Sequence, residues 1–454
     1  MKNVKLAGHL ASQGGAAVVV AGGVTGSDHL AGVFISLPGL KRRVFISRVF
    51  DEWDACASRD QEGLMFLRNM TITVGVAIVA VSLTGCGSTS GGGAASTIQQ
   101  AQAGQICGQQ AAAKPGYPRT IPKIDGGATS LSGAGSTFVA PVMSVWTKDY
   151  SQSDGVQVAY QPIGSGGGVQ QVIAGTVDFG ASDTPMKDSE LTAAKFGPIL
   201  HIPLTLGAVV PTYNVKGVQT GLKFDGDTLG KIFAGKITKW NDPALVALNP
   251  GANLPDQPIA VAHRSDGSGT TAVWTDFLTK ESPTWVQALG GSDRSFGKDI
   301  AWPVGIGGKG NEGVSGVINQ TDGSIGYVEL AYVLAQNLNY GLVKNKAGNF
   351  IQPCVATITA GTQGISYPPD LRVSLTDGPD PNAYPITGTT YALVYQNQTD
   401  PAKAKALVNF FSWTLSAGQD DAASVNYAPL GKDLQGLAAG MVQKITLNGG
   451  PVGK

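Results

Sequence analysis

The nine residues His263-Arg264-Ser265-Asp266-Gly267-Ser268-Gly269-Thr270-Thr271 bring a guanidinium, a carboxylate, two glycines and several hydroxyls into one short turn. An apolar run, Ile259 to Ala262, precedes them and reads as a buried strand. Ala272 to Leu278 follows with helical apolar spacing. Ser268 and Thr270 stand where a helix N-cap belongs, so free backbone N–H groups and the positive end of the helix dipole point outward there. Small residues at a helix start beside an arginine suit the binding of a tetrahedral oxyanion. A plain capped helix with a surface arginine has the same local pattern, so the stretch alone leaves both readings open.

Enzymatic chemistry finds less support. Gly305-Ile306-Gly307-Gly308-Lys309-Gly310 matches a dinucleotide-binding turn, follows the strand-like Ala301 to Val304, and has Glu329 nineteen residues on. The helix expected after it, about 312 to 319, is short, and Glu312 would repel a pyrophosphate. A serine hydrolase needs a base beside its nucleophile. Downstream of residue 86 only His201 and His263 remain, and His263 faces away from Arg264 if the two alternate along a strand. No His, Cys and carboxylate cluster has metal-ligand spacing, so neither a metal nor a cofactor is expected and the chain reads as no enzyme. Charged residues make up 14% of the 454 and the net charge is zero, which gives no reason to expect a nucleic-acid partner.

The elements around the turn repeat one design. Thr129 to Phe138, Val156 to Tyr160 and Val177 to Ala181 read as strands, each running into a Gly/Ser/Thr/Asp turn. The helix after the first places Val139, Val142, Val145 and Trp146 on one face, and Gly164-Ser165-Gly166 opens the helix after the second. Leu229 to Trp240 reads as a helix, Ile325 to Glu329 and Tyr391 to Tyr395 as strands, and Ala402 to Thr414 as an amphipathic closing helix. This alternation predicts an α/β protein with ligands beyond the carboxyl ends of its strands, and two α/β domains between which the chain crosses more than once.

Upstream, residues 65–85 read as an export signal, with an apolar run too short for a comfortable membrane span. The run ends in Leu83-Thr84-Gly85-Cys86, which resembles a lipoprotein lipobox and predicts acylation of Cys86. A signal should be N-terminal, so residues 1–64 read as an over-extended gene start, with translation beginning at Met65. Residues 86–126 have the composition of a flexible tether. Cys107, within that tether, can pair with Cys354 in an oxidising compartment.

Gly133-Ala134-Gly135-Ser136-Thr137-Phe138, Gly164-Ser165-Gly166-Gly167, Val177 to Asp183 and Arg264 to Thr270 closely resemble the high-affinity phosphate-binding proteins of bacterial ABC transporters. Gly307 to Asn311, Gly326 to Glu329 and Tyr384 to Thr387 extend the match across about residues 127 to 430. The resemblance implies a two-lobed periplasmic-binding-protein fold (type II-like) with the anion in the interlobe cleft. Lobe I would comprise 127–206 plus 386–449, and lobe II 207–385. It also implies phosphate ligands at Thr137, Phe138 (backbone N–H), Ser165, Asp183, Arg264, Ser268, Gly269 and Thr270, with Asp266 pairing Arg264. The family's second serine in the Gly-Ser-Ser turn is Gly166 here, whose N–H is expected to serve in its place. The implied protein is a monomer, lipid-anchored to the outer face of the cell membrane, that captures inorganic phosphate and delivers it to permease subunits driven by a cytoplasmic ATPase. Arsenate or molybdate as ligand, or a surface phosphate sensor or adhesin, are the alternatives on the same fold. Asp183 carries the distinctive chemistry: a buried acceptor takes a hydrogen bond from protonated phosphate but repels fully ionised sulfate.

Overall fold

The structure, a computed structural model, describes residues 123–453 and Cys107, together with the backbone of two short strands, Val33–Ile35 and Val44–Ile46. Those two strands pair antiparallel, Val33 opposite Ile46, within a first unit spanning Met1–Ser88. The signal segment 65–85 and Cys86 lie outside the described residues. Everything that follows belongs to the second unit, Thr89–Lys454.

The sequence Ile199–Asn214 forms one sixteen-residue strand, buried along almost its whole length. Such an apolar run, flanked on both sides, suits the middle of a covered sheet. Its first part, Ile199 to Ala208, pairs antiparallel with Thr387–Tyr395, and its last part, Val209 to Asn214, pairs antiparallel with Ser324–Glu329. The change of partner divides a nine-stranded sheet into two halves, here lobe I and lobe II. In lobe I, Thr387–Tyr395 is followed across the sheet by Phe179–Ser182, Ser130–Gly135 and Gln157–Pro162, the last three mutually parallel. In lobe II, Ser324–Glu329 is followed by the parallel strands Ala260–Arg264 and Ile306–Gly308. The chain passes between the halves again near Ile386, whose carbonyl accepts from Val209 N at 2.9 Å. The expected α/β alternation is therefore present, as a mixed sheet rather than two separate ones.

Helices fill the connections, and their limits follow local chemistry. Ala140–Asp154 buries Val142, Met143, Trp146 and Tyr150 and leaves Val145 half-buried, a face rotated by one position from that expected. The helix predicted over 229–240 runs Gly226–Phe233, started by Asp225, whose carboxylate accepts from Thr228 N at 2.8 Å. Pro401–Thr414 does not close the chain; Ala417–Ser424 and Lys432–Gln443 follow it. The glycine-rich 305–310 run is also differently built. Its strand is Ile306–Gly308, inside the motif, and Ala301 to Val304 is irregular. Parallel pairing with Ala260–Arg264 supplies hydrogen bonds that the local pattern could not reveal.

Beneath the Arg264 turn lies an aromatic cluster. Trp274 stacks on Tyr327 with ring centres 5.1 Å apart, Trp302 stacks on Tyr327 at 5.8 Å, and Phe233 tilts against Trp274 at 5.1 Å. Each such ring contributes on the order of 2–3 kcal/mol by burial, so the turn rests on a stiff floor.

Cys107 and Cys354 are joined as a disulfide with Cα atoms 5.8 Å apart, linking the tether region to the start of the Val355–Ala360 helix. A closed loop of this length stabilises by restricting the unfolded chain, by about 2–4 kcal/mol in typical cases. Cys354→Ser is expected to lower the thermal midpoint by a few degrees. Calorimetric melting with and without reductant checks this; a wild-type midpoint insensitive to reductant refutes it.

Candidate functional site

Lobe II presents the start of Gly269–Glu281. Ser268 is its N-cap, with Oγ accepting from Thr271 N at 3.0 Å. Arg264, at the end of its strand, is 3% exposed. Its Nε donates to Asp266 Oδ1 at 2.8 Å and Nη2 to Oδ2 at 2.6 Å, a two-pronged pair that fixes the guanidinium plane. The remaining Nη1 donates to Thr270 Oγ1 at 3.3 Å. Burial disfavours the Asp266 carboxylate, but the bonds and charge of Arg264, with the Gly310 N–H at 3.0 Å, outweigh it and hold its pKa below the usual value. The glycine-rich 305–310 run thus ends by donating to Asp266.

Lobe I presents the opposite face. Asp183, 3% exposed, accepts from Ser136 Oγ at 2.5 and 2.7 Å, Thr390 Oγ1 at 2.7 Å and Ser165 Oγ at 3.2 Å. Burial is the largest influence on it and raises its pKa, while the three hydroxyls and the Arg264 charge act the other way. Ser165 is the first residue of Ser165–Ala174, and its Oγ also accepts from Asp183 N at 3.3 Å. Phe138 buries its ring in the core, and its N–H donates to Ser136 Oγ at 2.9 Å.

The two faces are in contact. Thr137 Oγ1 from lobe I accepts from Asn311 Nδ2 at 2.9 Å and Asn311 N at 3.2 Å, and Tyr332 Oη donates to Thr137 O at 2.6 Å. Asn311 Nδ2 also lies 3.2 Å from Thr270 Oγ1, joining the two threonines. Gly166 N donates across the gap to Gly267 O at 2.8 Å. The expectation that this N–H would replace the missing serine therefore meets a different use. A Cβ at 166 would stand 3.0 Å from Gly267 Cα, so glycine permits the close approach of the lobes. At Gly269 an added Cβ would overlap Asp183 Oδ2 and Ser165 Oγ, so a side chain there would block closure.

Thr137, Ser165, Asp183, Gly269 and Thr270 thus come together at one interlobe seam, with Arg264 and Asp266 behind Thr270, while Phe138 N–H and Ser268 are bonded within their own lobes beside it. Sequence reasoning did not single out Ser136, Asn311, Tyr332 or Thr390. Ser136 and Asn311 lie inside motifs already quoted, where polar type and turn position were a usable signal; Thr390, one hydroxyl in an apolar strand, offered none. Both histidines among the described residues are used structurally. His201 accepts from Met186 N at 3.0 Å, and burial lowers its pKa to about 4. His263 stacks on Trp302 at 4.9 Å. No group of carboxylates, histidines and cysteines among the described residues is arranged to hold a metal.

Comparison with known proteins fits this geometry. Residues 94–417 match the PBP superfamily domain. The phosphate-binding protein PstS of Xylella fastidiosa is 42% identical over 307 residues, 67% of this chain and 82% of the relative. This chain belongs to the PstS phosphate-binding protein family. PstS 3 of Mycobacterium leprae, 31% identical, extends the match to 81% of this chain and 96% of its own. Among solved structures, the high-affinity periplasmic phosphate-binding protein PfluDING has a TM-score of 0.55 at 20% identity, covering 68% of this chain and 92% of its own. The phosphate-binding protein of Stenotrophomonas maltophilia has a TM-score of 0.53 at 18% identity, covering 69% and 94%. At these identities the likeness concerns the two-lobed fold.

Behind the seam, Glu329 is fully buried. It accepts from Ala331 N at 2.7 Å and from Tyr427 Oη at 2.9 Å. Burial raises its pKa to about 8 from an ordinary 4.5. The folded chain then binds more protons than the unfolded chain between those values. The associated stabilisation is complete below about 4.5 and is lost as pH rises through about 8. In melts from about pH 5 to about pH 9, Glu329→Gln should gain on the wild type as pH rises; a gap that stays constant with pH refutes this.

Proposed function

We propose that this protein binds inorganic phosphate outside the cytoplasmic membrane, in the seam between its lobes, and delivers it to the permease of an ABC transporter. The observation that carries the reading is the pairing of opposites across one closed seam: the oriented Arg264 cation with a helix start on one side, and the buried Asp183 acceptor on the other. Arg264, Thr270, Ser268 and the Gly269 backbone would hold anionic oxygens, with Thr137, Phe138 N–H and Ser165 supplying donors from lobe I. Asp183 would accept the proton that phosphate carries and sulfate lacks. Lobe I is taken as 127–206 plus 386–449 and lobe II as 207–385. Acylation at Cys86 would anchor a monomer to the outer membrane face, and no helix among the described residues is long and apolar enough to cross a membrane.

Titration calorimetry of the purified chain with phosphate, arsenate and sulfate tests this. One phosphate per chain is expected, with arsenate competing and sulfate weaker by roughly 10⁴–10⁵-fold, as for sites that require a substrate hydroxyl. Sulfate binding as tightly as phosphate would overturn the role given to Asp183.

A further inference from the structure

Beside the anion seam, Lys298 of lobe II reaches across to a short segment of lobe I, and Arg372, whose neighbour Val373 is bonded to Tyr391 of lobe I, holds the same segment. Lys298 Nζ lies 3.1 Å from Glu190 Oε2 and 3.3 Å from Oε1. Arg372 Nη1 donates to Asp188 Oδ1 at 2.7 Å and to Met186 O at 3.3 Å, while its Nε is held by Asp370 Oδ2 at 2.7 Å. Glu190 is not a free surface acid. Its Oε2 accepts from Lys187 N at 2.7 Å and so caps the Asp188–Thr192 turn, which begins five residues after Asp183. Lys298 is equally well connected, since its carbonyl accepts from Ser268 N at 2.9 Å, at the N-cap of the cradle helix. A second route therefore runs between the halves of the site, from Ser268 through Lys298 and Glu190 to the loop carrying Asp183.

The Lys298 side chain is 8% exposed and that of Glu190 26%. Burial lowers the Lys298 pKa, with Glu190 acting in the opposite sense. Lys298 stands between two interlobe cavities of about 560 and 610 Å³, both of which it lines together with Lys187. Around it the lobes leave open space, so the ion pair acts as a strut rather than as part of a continuous packed interface.

We infer that Lys298, gripping Glu190 on a segment that Arg372 braces through Asp188, forms an electrostatic clasp that holds the lobes closed and sets how slowly bound phosphate leaves. Neither cation is a ligand in the proposed site; both act as positioning residues. Opening must separate the clasp as well as the anion contacts, whereas entry into an open cleft does not depend on it. The clasp therefore acts on the dissociation rate and leaves the association rate nearly unchanged.

The kinetic test rests on the phosphate-binding reading, so it begins with wild-type affinity. Stopped-flow displacement of phosphate from Lys298→Met and Glu190→Gln, followed by tryptophan fluorescence, should show dissociation about ten-fold faster, with association changed by less than about two-fold. Lys298→Arg should restore nearly the wild-type rate, which a loss of packing alone would not explain. Near-UV circular dichroism establishes that each variant is folded, and Glu190, the more exposed partner, supplies a usable variant if Lys298→Met is not. A wild-type dissociation rate in both variants overturns the clasp. If the wild type binds no phosphate, the functional reading fails instead. The clasp is then decided by small-angle scattering of the ligand-free proteins: a larger radius of gyration in Glu190→Gln than in wild type supports it, and equal radii overturn it.

Discussion

Arg264→Ala is expected to abolish tight phosphate binding. Arg264 is the buried cation of the seam, and its plane is set by two bonds to Asp266 at 2.8 and 2.6 Å. Truncating one partner of a buried, hydrogen-bonded charge pair costs about 2–5 kcal/mol or more, which corresponds to roughly 30- to 5,000-fold in affinity. The variant loses more than a charge. Asp266, whose pKa is held down chiefly against burial by Arg264, would be left as a partly buried carboxylate facing an anion. Arg264→Lys keeps the charge but cannot hold both Asp266 oxygens and reach Thr270 with one ammonium, so an intermediate loss is expected. Calorimetric titration of wild type and both variants checks the order, and Asp266→Asn separates the two contributions. Unchanged affinity in Arg264→Ala would remove Arg264 from the site.

Asp183→Asn is expected to erode the discrimination between phosphate and sulfate by about 10²-fold or more, within the roughly 10⁴–10⁵-fold range available to a site that reads a hydroxyl. The carboxylate is an acceptor only, and three hydroxyls, Ser136, Thr390 and Ser165, surround it. An asparagine keeps one acceptor oxygen for them and offers N–H donors to a fully ionised oxyanion. Sulfate affinity should therefore rise while phosphate affinity falls modestly. Acid should act in the same direction in the wild type. Because burial raises the Asp183 pKa, its carboxylate takes a proton at a higher pH than an ordinary aspartate, and sulfate should compete better as pH falls through that range. Competition titrations at several pH values measure both effects, and discrimination unaltered in the variant would show that selectivity lies elsewhere.

Much of this protein is written in local patterns. The turn residues that follow strands, the N-cap at Ser268 and the apolar faces of its helices are set by interactions a few residues long. Short-range rules therefore find them, and the ordered motifs from Gly133 to Thr387 made the family resemblance visible. Even so, short-range rules misplaced the Ile306–Gly308 strand, which owes its position to pairing with Ala260–Arg264. They also gave no helix after Thr414, although two follow and the Leu206–Ala428 bridge carries the later chain back onto the long strand.

The sequence by itself determined the chemistry at each turn: an arginine with an aspartate two residues on, a capped helix start, and an isolated acid after a strand. Only the tertiary structure decided which turns oppose one another, and how closely. Thr137 meets Asn311 across 174 residues of chain, and Asp183 meets Thr390 across 207. Side chains that far apart carry no mutual pattern, because the first distance is set by how the long strand joins the two halves and the second by the pairing of Phe179–Ser182 with Thr387–Tyr395. The Lys298–Glu190 strut was hidden for the same reason: each residue reads as an ordinary surface charge until the lobes close around it.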